Sequence, residues 1–100
     1  MSKLNDTRSV IFDDIDDERE RQIQKWGIQQ HHALEWLAIL TEEVGEMSQA
    51  VIEGWRARSE EQENHTLKAL RDELVQIAAV AVAALEDLDL RFSDIRDLDV

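Results

Sequence analysis

The chain has 100 residues, with 11 Lys and Arg against 23 Asp and Glu, for a formal net charge of −12. That length suits one domain with a modest core, and the acidic excess repels polyanions, which argues against a duplex nucleic-acid binder. Cysteine is absent, so there is neither a disulfide framework nor a thiolate site.

The longest apolar run, Ile77 to Leu85, is far short of a membrane span, and "MSKLNDTRSV" lacks the apolar stretch of a secretory signal. A soluble, cytoplasmic protein with no membrane partner is expected. Proline is absent, and glycine occurs only at 27, 45 and 54. No segment alternates with a two-residue period. The expected fold is all-α, one domain over 1–100 with its core in 10–88.

A first helix is expected from Val10 to Lys25, its Asp13, Asp14, Asp16 and Asp17 complementing the helix dipole. Gly27 is the expected left-handed stop, and "IQQHH" connects to a second helix from Ala33 to Glu53, ended by Gly54. Leu37, Leu40, Val44, Met47 and Val51 give that helix an apolar stripe. "RARSEEQENHT" (56–66) reads as a polar link whose Thr66 caps a third helix, Leu67 to Leu88. Residues 89–100 form a tail or a short fourth helix capped at Ser93. The third helix is apolar nearly all round, more than three or four helices can enclose. An antiparallel bundle of three to four helices completed by dimerisation or tetramerisation is expected.

Carboxylates mark the candidate site. Glu43 and Glu46 lie about 60° apart on the second helix, near its stripe. On the third, Glu73 falls between Ile77 and Val80, with Gln76 one turn on. Burying ionised carboxylates is costly without a cation, and no Lys or Arg shares these faces; Arg56, Arg58, Lys68 and Arg71 sit at the mouths. Mg²⁺ (or Mn²⁺) suits hard oxygen ligands and keeps waters that substrate phosphates replace. Gly45 would let another helix or a ligand approach. Glu42, Asp72 and the first-helix aspartates read as solvated acids. Trp26, Trp36 and Trp55 read chiefly as packing residues, with Trp36 the best placed to meet a nucleobase. His31 and His32, being adjacent, point apart and make a poor metal pair.

These segments, "ILTEEVGEMSQAVIEG" and "LRDELVQIAAVAVAALE", with "ERERQIQKWG…HH" before them, resemble the MazG-type all-α nucleoside triphosphate pyrophosphohydrolases over residues 15 to 88. The family signature is Glu-Glu-x-x-Glu on one helix and Glu-x-x-Asp on the next. Here Glu42, Glu43 and Glu46 complete the first half, whereas the second is Glu73-Leu-Val-Gln76. The resemblance implies a homodimeric or homotetrameric, Mg²⁺-dependent enzyme that cleaves (d)NTPs to the monophosphate and pyrophosphate. Its metal ligands would be Glu43, Glu46, Glu73 and Gln76, its catalytic residues Glu42, Glu43, Glu46 and Glu73, and its substrate contacts Trp36, Lys68 and Arg71. Gln76 supplies an oxygen but no charge and no general base. The alternative is therefore a catalytically weak or inactive helical interaction protein. An acidic decoy for a nucleic-acid-binding partner is a third reading, which needs the acids spread over the surface rather than directed inward.

Overall fold

The computed structural model describes residues 2–56 and 59–100. Three α-helices, α1 (Ser2–Trp26), α2 (Ala33–Trp55) and α3 (Glu60–Arg91), are followed by a 3₁₀ turn at Ile95–Asp97; no strand occurs among the described residues. No described helix is long and apolar enough to cross a membrane.

The helices run up, down and up. Trp36 of α2 bonds Asp87 of α3, and Gly54 near the end of α2 meets Thr66 near the start of α3, so these two are antiparallel. Asp14 of α1 pairs with Arg71 at 2.7 Å, and Arg19 pairs with Glu86 further along, so α1 and α3 rise together. α3 is central and packs on both neighbours, which do not pack on each other among the described residues. The result is a cleft with α1 and α2 as walls and α3 as floor.

Gly27 ends α1 as expected, with φ +73°, its N–H donating to the Ile23 carbonyl at 2.7 Å. Other boundaries differ. α1 begins at Ser2, so its aspartates sit mid-helix, away from the terminal N–H groups they were expected to complement. α2 passes through Gly54 to Trp55. A Cβ on Gly54 would collide with Thr66 Oγ1, so this glycine permits close approach of two helices instead of stopping one.

Ser59, not Thr66, caps α3, its hydroxyl accepting from the Gln62 N–H at 3.1 Å. Most of the expected polar link is therefore helical, and Thr66 is buried inside α3. The 3₁₀ turn takes Asp94, without a side-chain cap, where a helix capped at Ser93 was one expectation.

The α2 stripe is also rotated from expectation. Trp36, Leu40, Glu43, Met47, Val51 and Gly54 form the line turned toward α3, whereas Leu37 and Val44 are exposed. Among the described residues only Trp36, Ala79 and Ala83 are buried apolar residues, and on α3 Leu67, Leu74 and Leu85 are about half exposed. One chain does not enclose its own central helix.

The best-satisfied buried polar group is Asp87, 2 % exposed. Its carboxylate accepts from Arg91 (2.6 and 2.8 Å), Trp36 Nε1 (2.7 Å) and the His31 N–H (3.0 Å). Arg91 also donates to the His31 carbonyl at 2.7 Å. His32 caps α2, its Nδ1 accepting from the Leu34 N–H at 3.1 Å while Glu35 accepts from the His32 N–H at 3.0 Å, a reciprocal capping box. The connector and both helix ends thus converge on one carboxylate.

Those bonds, the Arg91 guanidinium foremost, hold the Asp87 carboxyl at about 2 against an ordinary 3.8. A depressed folded-state value stabilises the fold above the unfolded-state value and is lost as pH falls through the folded one. The Tm gap between wild type and Asp87→Asn should therefore be widest above about pH 4 and close toward pH 2, as read by circular dichroism melts in steps of pH.

Candidate functional site

Little more than one turn of α2 carries Glu42, Glu43 and Glu46, and Glu73 lies on α3 across from them. Glu43 and Glu73 are half-buried, whereas Glu42 and Glu46 are exposed. Glu43 sits in the inner line of α2 because the register that seats Trp36 and Met47 against α3 carries the intervening residue with it. Burial, followed by the charges of Glu46, Glu73 and Glu42, pushes the Glu43 carboxyl above its ordinary value. Carboxylates of two helices therefore act on one another, and no ion pair to Glu43, Glu46 or Glu73 occurs among the described residues.

Glu43 also lines a cavity of about 200 Å³ in the cleft. Its walls are Arg19, Gln22, Trp26 and Gly27 on one side and Trp36 and Ile39 on the other, over Val80 and Ala83. Trp36 is 5 % exposed, its Nε1 committed to Asp87 and its ring met edge-on by His31 at 4.7 Å. It is a fixed wall of this cavity. The expected role as a free stacking platform fits Trp26 better, which is 54 % exposed on the rim with Lys25 Nζ 4.8 Å from its ring centre. Trp55 is exposed at the far end of α2.

Gln76 is placed elsewhere. It lines a groove between α1 and α3 with Asp14, Asp17, Glu18, Arg21, Arg71, Asp72 and Val75, and its carbonyl accepts a long 3.5 Å bond from Gln22. Arg71 is paired with Asp14 and Lys68 with Asp72 at 3.0 Å, both at the surface. Arg56 is exposed; Arg58 lies outside the described residues. Gly45 has nothing within 4 Å of where a Cβ would stand, so none of the described residues uses the close approach expected there.

For a divalent ion the donor set is chemically apt, being hard carboxylate oxygens with mutual repulsion to relieve. Among the described residues, however, no three acidic or histidine side chains are gathered as a ready chelate.

Reasoning from sequence missed Asp87, His32 and Ser59. The i, i+4 pair of Asp87 and Arg91 was a usable signal, as was "SEEQ", with Gln three residues after Ser.

No known family, curated protein or solved structure matches this chain.

Because burial and then like charge disfavour the ionised Glu43 carboxyl, Glu43→Gln should raise the Tm of the metal-free protein by roughly 2–4 °C. The same variant should lose most of any Tm increase that millimolar Mg²⁺ gives the wild type, as measured by differential scanning fluorimetry.

Proposed function

We propose that the chain is a Mg²⁺-dependent nucleoside triphosphate pyrophosphohydrolase acting as a homo-oligomer. The observation that carries this reading is the half-buried Glu43, pressed by Glu46, Glu73 and Glu42 beside a largely apolar cavity. The resemblance of "EEVGE" and "DELVQ" to the MazG-type signature supports it.

Glu43, Glu46 and Glu73 would hold the metal, which when bound supplies Lewis-acid charge to the triphosphate. Glu42 or Glu46, both exposed, orients a water for in-line attack on the α-phosphorus and takes up its proton. The α–β bond breaks, giving the monophosphate and pyrophosphate. The cavity beside Glu43 is smaller than the about 300–1,000 Å³ of ordinary ligand pockets, so it takes a flat heterocycle rather than a whole nucleotide. Trp26 on its rim offers a stacking face, and Trp36 behind it fixes the depth. Lys68 and Arg71 are surface cations that must leave Asp72 and Asp14 before meeting distal phosphates.

A second copy supplies what the single chain lacks. On α2, Leu37 and Val44 lie about 100–120° round from Glu43, and on α3 Leu74 and Leu85 lie about 100–120° round from Glu73. Because the two helices are antiparallel, both sets face the same side, turned away from the carboxylates by that angle. Thr41, Ser48, Ala78 and Ala81 fill the intervals without charge. Two copies meet there without like-charge repulsion and form a four-helix core.

One observation favours a second reading, a non-catalytic bundle that binds a partner. Gln76 faces the α1–α3 groove, not the cavity that Glu43 lines, so the fourth signature position adds neither charge nor proximity to Glu43.

The deciding experiment is a panel of NTPs and dNTPs with Mg²⁺ or Mn²⁺, scored for monophosphate and pyrophosphate. Turnover that falls about 10²-fold or more in Glu43→Gln and Glu73→Gln supports the enzyme. Absence of turnover across the panel, with no metal-dependent change in Tm, supports the binding protein. Gln76→Asp should tighten metal binding if residue 76 turns toward the site when the metal is held. Separately, Leu74→Asp should shift the sedimenting species from oligomer to monomer.

A further inference from the structure

Two polar side chains of α1 are buried with hydrogen-bonding capacity to spare. Arg19 and Gln22, one turn apart, are 7 % and 6 % exposed. Both line the cavity of about 200 Å³ beside Glu43. Among the described residues, Arg19 gives only its Nε–H to a protein acceptor, Glu86, and its two terminal nitrogens have none. Those nitrogens carry parallel N–H donors in the plane of the guanidinium. The Gln22 amide nitrogen reaches Glu18 Oε2 at 3.4 Å and the Gln76 carbonyl at 3.5 Å, both at the long limit of a hydrogen bond. These two acceptors hold the NH₂ on their side, which leaves Oε1 as the free end.

Buried donors and acceptors left unmet are costly, and what these groups meet is a cavity. Trp36 and Ile39 wall it over Val80 and Ala83, and Trp26 stands on its rim. A planar heterocycle seated there packs its faces on apolar and aromatic side chains. Only its edge is left for Arg19 and Gln22. The edge they match carries two adjacent acceptors followed by a donor. Arg19 donates to both acceptors as a fork, and Gln22 Oε1 accepts from the donor. Guanine presents this order at N7, O6 and N1–H, and cytosine presents it at O2, N3 and the N4 amino group. Adenine, uracil and thymine do not, because acceptor and donor alternate along their edges.

We propose that Arg19 and Gln22 select the base, admitting guanine or cytosine and rejecting adenine, uracil and thymine. The inference rests on the proposed function for the presence of a nucleotide, but selection is a matter of binding and is measured without hydrolysis. Glu86 of α3 acts as a positioning residue. By taking the Nε–H of Arg19 it fixes the guanidinium and leaves the terminal pair for the ligand. Both selecting residues come from α1, whereas Glu43 comes from α2. Base reading and metal binding are thus assigned to different helices and can be altered separately.

The test is calorimetric titration of the full chain, without metal, with GMP, CMP, AMP and UMP. The better of GMP and CMP should bind about 10-fold or more tightly than AMP and UMP, and it identifies the base served. Gln22→Met, which keeps the volume of the side chain, should erase most of that preference. Altered ligands probe the same contacts without touching the protein. The 7-deaza analogue of GMP and the 3-deaza analogue of CMP each lack one acceptor, and the analogue of the preferred base should bind about 10-fold more weakly than its parent. Absence of binding by all four nucleotides overturns the inference, as does AMP or UMP binding as tightly as the better of the other two. A Gln22→Met chain with the full preference, or a deaza analogue that binds as its parent does, also overturns it. Selective binding without triphosphate turnover keeps the base selection and removes the enzyme. Turnover of all four triphosphates at equal kcat/KM does the reverse.

Discussion

Asp87 must keep four donors, and much of the molecule is arranged around that requirement. A buried carboxylate without partners is costly. Satisfying it draws the connector after α1 inward through the His31 N–H, seats Trp36 by its indole N–H, and folds Arg91 back along α3 to reach the His31 carbonyl as well. Those contacts fix where α2 starts relative to the end of α3. The start and register of α2 in turn decide that Glu43 faces inward and Val44 outward. The electrostatic tension at Glu43 is thus downstream of a hydrogen-bonded anchor at the other end of the cleft.

Much of this was legible in the sequence. Helical periodicity, the absence of proline and the placement of Gly27 gave three helices and the first stop. Glu43 and Glu73, read as facing inward, are half-buried, whereas Glu46, read the same way, is exposed. What was not legible has physical reasons. Gly54 reads as a terminator in isolation, because its use depends on Thr66 arriving from a helix that sequence alone does not position. The α2 stripe contains two apolar faces, one for α3 and one unpartnered, and periodicity cannot say which faces inward. Gln76 is beside Glu73 by rotation, yet it opens into the α1 groove because α3 is contacted from two directions at that level.

The packing explains the composition. With only Trp36, Ala79 and Ala83 as buried apolar residues among those described, the chain recovers little hydrophobic free energy against the cost of ordering its backbone. Leu67, Leu74 and Leu85 of α3 are meanwhile about half exposed.

α3 carries both the Asp87 anchor and Glu73, roughly 21 Å apart along the axis at 1.5 Å per residue. The helix therefore acts as a ruler. Inserting or deleting a single residue between the two would swing Glu73 by about 100° and displace it by about 1.5 Å while leaving the anchor untouched. Length variation in this segment is tolerable only in whole turns, whereas the connector at 27–32 has no such periodic constraint on its length.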